Sequence, residues 1–120
     1  MKENVIKKTL VKYFNEKAQS CHVDMAFLFG SYARGKPKNK SDIDIAVVLR
    51  VLGREKISEL TSKIAVDISQ LTKKEVDVIP IYRDFRKPML YYNAIVLGRK
   101  LFVKDRAEFW QLYREALYHM

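Results

Sequence analysis

Apolar residues recur at two different periods along the chain, and the alternation of those periods predicts helices and strands in turn. Between Glu3 and about Ala18, the positions Val5, Ile6, Leu10, Tyr13, Phe14 and Ala18 follow helical steps with lysines between them. That spacing predicts a surface helix with one buried face. The segment His22 to Phe29 holds the apolar run Met25 to Phe29 and ends at Gly30, as a short buried strand does. Ser31 to Lys40 is polar and contains Gly35 and Pro37, which predicts one helical turn and then a loop. Ile43 to Leu49 reads as a second strand. After Gly53, residues Ile57, Leu60, Ile64, Ile68 and Leu71 step by threes and fours, an amphipathic helix whose stripe should lie on the sheet. Glu75 to Ile81 alternates as a third strand, closed by Pro80 and the charged stretch Arg83 to Lys87. Pro88 suits the first turn of a helix and Gly98 the position just past its end, so 88–97 should be helical. Leu101 to Val103 makes a short last strand. Asp105, with Glu108 three residues on, resembles a capping box that opens a final helix carrying Phe109, Trp110, Tyr113 and Leu117.

Strands and helices therefore alternate, which predicts an α/β or α+β fold: one mixed sheet of about four strands covered by helices. No internal repeat, low-complexity tract or linker interrupts the pattern. The chain length of 120 residues suits a single domain over 1–120 and leaves little room for a separate substrate-binding domain.

Composition adds the sign of a partner. Against 14 Asp and Glu stand 23 Lys and Arg, a formal charge of +9, which favours nucleotides, RNA or an acidic protein surface. The cations are spread along the chain, so most belong on solvated faces. A single cysteine, Cys21, excludes an intrachain disulfide and fits a reducing cytoplasm. The N-terminal stretch is charged throughout, and no run reaches the ~20 apolar residues of a membrane span. A cytoplasmic protein without membrane contact is the expectation.

Candidate chemistry concentrates between Phe29 and Ile45. Gly30 ends a buried strand and lets the backbone turn sharply and approach a ligand closely. Ser31 then opens a helical turn, where free N–H groups attract phosphate oxygens and the hydroxyl can donate as well. Asp42 and Asp44 are two apart at the start of a strand, so both side chains leave the same face, roughly 7 Å apart along the backbone. Two carboxylates on one face repel unless a cation joins them, and carboxylate oxygens suit magnesium. The plainer alternative is that Ser41-Asp42 caps a turn and Asp44 faces solvent.

Gly30-Ser31, ten residues, then Asp42-x-Asp44 resembles the signature of the DNA polymerase β-like nucleotidyltransferases, and the short chain is similar to their smallest members, the minimal nucleotidyltransferases. Tyr32-Ala33-Arg34-Gly35 and Ser41 match the fuller motif. Glu75-Val76-Asp77 is similar to the strand bearing the family's third carboxylate, and Ala94 to Phe102 to its helix, glycine and closing strand. The resemblance implies a nucleotide site at Gly30, Ser31, Arg34 and Ser41. It also implies that Asp42 and Asp44 ligate two magnesium ions, and that Asp77 binds the catalytic metal or helps deprotonate the nucleophile. Asp67 is the poorer third carboxylate because it lies within a helical repeat. Arg34 and Lys36 could neutralise the triphosphate.

Minimal members are commonly paired with a small helical toxin of the HEPN type and act as its antitoxin by transferring AMP from ATP to a tyrosine. That activity is the expectation for this chain. Two alternatives stand beside it: an antitoxin that neutralises its partner by covering it, and transfer to a small molecule or RNA. A nucleic-acid platform lacks support, because aromatic and basic residues do not interleave. If the sheet buries only one side of the last helix, Trp110 and Tyr118 are left for a homodimer or toxin contact.

Overall fold

Every residue of β1 (Val23–Phe29) is buried, because this strand lies inside the sheet with helices on both faces. The computed structural model describes residues 3–35, 42–51 and 53–120. After α1 (Glu3–Lys17) and β1 come β2 (Ile43–Leu49), α2 (Arg54–Thr72), β3 (Val76–Pro80), α3 (Pro88–Ile95), β4 (Arg99–Val103) and α4 (Arg106–Tyr118). The four strands lie in the order β3-β2-β1-β4. β1 runs antiparallel to β2 and β4, while β2 and β3 are parallel, so the sheet is mixed and α2 is the crossover between its parallel strands.

Alternation along the strands sends side chains to two cores. Ile43, Ile45 and Val47 join Ile6, Leu10 and Phe14 of α1 and Ile64 and Ile68 of α2 on one face. Met25, Phe27, Ala46 and Val48 join Tyr91, Ala94 and Ile95 of α3 and Phe109, Leu112 and Ala116 of α4 on the other. Each large side chain fully removed from water contributes about 1.5–3 kcal/mol, so the two cores fix which way every residue of β2 points. A register shift between Ala26 and Phe27 against β4 turns both Leu101 and Phe102 toward the α1 side.

Two helical stripes differ from their predicted course. In α2 the stripe passes from Ile68 to buried Thr72, whose hydroxyl donates to the Ile68 carbonyl at 2.8 Å, and Leu71 is exposed. In α4 the buried line is Phe109, Leu112 and Ala116. The small Ala116 lets the helix settle on that side, leaving Leu117 46% exposed. Asp105 caps this helix as expected, accepting from the Ala107 and Glu108 amides. Among the described residues no helix is long and apolar enough to cross a membrane.

Asp67 belongs to the packing of the helices. Its Oδ2 accepts from the Tyr13 hydroxyl at 2.7 Å and from Lys63 Nζ at 3.0 Å, clamping α2 to α1. Burial, and next the bond to Asp67, push the Tyr13 hydroxyl up from its ordinary range. Burial would push the Asp67 carboxyl up too, but the bonds from Tyr13 and Lys63 outweigh it and hold it below the ordinary carboxylate range. A carboxyl depressed by folding stabilises above its unfolded pKa of ~3.9 and loses that contribution as pH falls through the depressed value. Tyr13→Phe is therefore expected to cost about 1 kcal/mol at pH 7, with the difference shrinking below about pH 4. Urea denaturation of both proteins at pH 7 and pH 3 checks this; an equal difference at both would remove Asp67 from the account.

Candidate active site

Three strand ends meet on one face. β1 leaves the sheet at Phe29, whose partner in β2 is Asp44, and Asp44 is in turn the parallel partner of Asp77 in β3. Residues directly paired across strands share a face, and so do residues two apart along one strand. Ile43 and Ile45 are fully buried toward α1 and α2, so Asp44, with Asp42 before it and Asp77 beside it, faces the α3 side at the end of the sheet. Asp42 and Asp77 are exposed and Asp44 is half-buried.

Gly30 brings the turn onto this cluster. Its φ is +75°, and a Cβ there would collide with Asp44 Oδ2, so only glycine lets the backbone rest against that carboxylate. The Arg34 amide donates to the Gly30 carbonyl at 3.2 Å and the Gly35 amide to the Tyr32 carbonyl at 3.4 Å, which makes 30–35 one helical turn. Tyr32 and Ala33 are buried and anchor it on the α1 side. Ser31 stays half-buried and Arg34 exposed. Ser41 and Lys36 lie outside the described residues.

The electrostatics follow from this crowding. Burial pushes the Asp44 carboxyl up from its ordinary range, Asp77 and Asp42 push it further, and Arg34 pulls it partly back. Like charges held together on one face favour a cation, and hard carboxylate oxygens suit magnesium. Among the described residues no three His, Cys, Asp or Glu groups stand close enough to hold a metal ion; the three aspartates share a face without closing on a point. Their oxygens are of the kind that magnesium takes, but the side chains are not drawn together around one position.

Two residues absent from the sequence reading of the site also shape it. Gly98 lies so close to α3 and β1 that a Cβ would collide with the Ala94 carbonyl oxygen and stand 2.7 Å from that of Leu28. Arg99 Nε donates to the Ala33 carbonyl at 3.1 Å, tying β4 to the turn. The motif's glycine hints at the first; nothing local in the sequence signals the second.

The polymerase β nucleotidyltransferase family matches residues 6–107. Comparison with curated proteins yields no match. Among solved structures, a toxin–antitoxin complex with AMP-PNP aligns with TM-score 0.69 at 20% identity, covering 90% of this chain and 84% of that one. A mutant MntA toxin–antitoxin complex aligns with TM-score 0.68 at 18% identity over 93% and 84%. A tri-AMPylated HEPN toxin with its MNT antitoxin, from Shewanella oneidensis, aligns with TM-score 0.64 at 17% identity over 93% and 84%. At these identities the likeness is one of fold.

Proposed function

Because the chain belongs to the polymerase β nucleotidyltransferase family, we propose that it transfers AMP from ATP to a protein hydroxyl, a tyrosine of a small helical HEPN-type toxin, and so acts as that toxin's antitoxin. The observation that carries the reading is the register: Phe29, Asp44 and Asp77 lie side by side across three strands, which supports a site at the end of the sheet where the Gly30-Ser31 turn follows Phe29 and Asp42 precedes β2. The complexes of similar fold include one with AMP-PNP and one with an AMPylated HEPN toxin, which supports both the donor and the acceptor.

In the proposed reaction the acceptor oxygen bonds to the α-phosphorus of ATP as the bond to the β-phosphate oxygen breaks, and pyrophosphate leaves. The turn's N–H groups and the Ser31 hydroxyl would bind phosphate oxygens, and Arg34 would neutralise the triphosphate. Asp77 would receive the acceptor's proton or complete the ligand set begun by Asp42 and Asp44. Two magnesium ions held by these carboxylates would supply charge stabilisation to the attacking and leaving oxygens. The chain's own task is mostly positioning. Its partner-facing surface would include α4, where Trp110 is 51% and Tyr118 86% exposed; such apolar residues mark contact sites.

The test is to incubate the protein with ATP labelled at the α-phosphate, magnesium and the product of the neighbouring open reading frame. Wild type is expected to label that partner, and the Asp42→Ala/Asp44→Ala double variant to leave it unlabelled. Equal labelling by both proteins overturns the catalytic assignment. Neutralisation of the partner by both without label would favour simple covering.

A further inference from the structure

We propose that Arg99 is a positioning residue for Arg34: by holding the Ala33 carbonyl, its guanidinium fixes the peptide that presents Arg34 beside the carboxylates. Arg99 opens β4 and pairs with Leu28, so it stands beneath the turn that β1 leads into. Arg99 is exposed, but its Nε reaches the Ala33 oxygen at 3.1 Å in a part-buried bond. The same peptide unit carries the Arg34 N–H, which donates to the Gly30 carbonyl at 3.2 Å. In a planar trans peptide C=O and N–H point in opposite directions, so partners at both ends leave this unit no freedom to rotate.

One of those partners belongs to the turn itself and the other to a different strand. Without Arg99, two local amide bonds hold the turn among the described residues, at 3.2 and 3.4 Å, both longer than the common N–H···O distance of about 2.9–3.0 Å. Among the described residues Arg99 forms no ion pair, so its charge is free to strengthen the bond to a neutral carbonyl. Lysine could make one such bond but not the planar fork that holds Nε in place. Arg34 is the only cation the described turn offers to the carboxylate face, so its placement sets how a triphosphate is met there. That last step rests on the proposed nucleotidyl transfer; the pinning of the peptide does not.

The test is a double-mutant cycle on the full chain, with Arg34→Ala, Arg99→Ala and the pair, read by the Kd for AMP-PNP with magnesium and by KM and kcat for ATP. Arg99→Ala is expected to raise Kd and KM about fivefold with kcat little changed, and Arg99→Lys to recover part of that loss. The double variant should be no worse than Arg34→Ala alone within about twofold. Effects that multiply would show independent roles and overturn the proposal. Hydrogen exchange at the Arg34 amide supplies a readout that needs no activity: faster exchange in Arg99→Ala, with an unchanged melting midpoint, is expected. If wild type binds no AMP-PNP, the function proposed above fails, and amide exchange alone decides; unchanged exchange then rejects the positioning role.

Discussion

Asp44→Asn is expected to lower nucleotidyl transfer by about 1,000-fold or more, and at the same time to raise the stability of the metal-free protein by roughly 1 kcal/mol at pH 7. The two effects share one cause. Asp44 is half-buried, faces Asp77 across the β2–β3 register, and carries a carboxyl pushed up first by burial and then by Asp77 and Asp42. A carboxyl raised by folding favours the fold below its unfolded pKa, and that advantage disappears as pH rises through the folded value. At pH 7 the ionised group therefore opposes folding. Asparagine keeps the shape and removes the charge, which relieves the repulsion and also removes the anion that would hold magnesium. The gain should vanish near pH 3, where Asp44 is protonated in both states. Urea denaturation in chelator at pH 7 and pH 3, with label-transfer rates beside it, measures both halves. A variant less stable than wild type at pH 7, or one retaining transfer within about tenfold, would contradict the assignment.

Which parts of the candidate site were legible in the sequence depended on how local their signals are. Asp42 and Asp44 could be read because their spacing matches the strand period, a local property. Gly30 and Ser31 could be read because a glycine closing an apolar run is local as well. Asp77 needed the family resemblance, since its place opposite Asp44 depends on the β2–β3 register, which no local pattern encodes. Arg99 was out of reach: it meets Ala33 across 66 positions, and two consecutive charged residues at the start of β4 mask a strand that in fact begins at Arg99. In α4, the sequence reading takes Phe109, Tyr113 and Leu117 as the apolar residues of the helix. The packed helix buries Leu112 and Ala116 beside Phe109 instead, because close approach to the sheet rewards a small residue.

Gly98→Ala is expected to destabilise the protein by about 3 kcal/mol and to lower its melting midpoint by about 10 °C. The added Cβ would collide with the Ala94 carbonyl oxygen and lie 2.7 Å from the Leu28 oxygen. Both obstacles are backbone, so neither can swing aside as a flexible side chain does. The Ala94 carbonyl lies in the last turn of α3, whose Tyr91, Ala94 and Ile95 are buried; the Leu28 carbonyl belongs to β1, one of the two inner strands. Relief requires α3 to lift from β1, which loosens the core on that face. It also shifts Arg99, the next residue, away from the turn it holds. The ATP KM should therefore rise along with the loss of stability, even at temperatures where the variant remains folded. Thermal and urea denaturation test the first effect, and nucleotide affinity well below the new midpoint tests the second. A destabilisation under about 1 kcal/mol would mean that α3 yields freely, and that the contact at Gly98 is not what holds the end of the helix against the site.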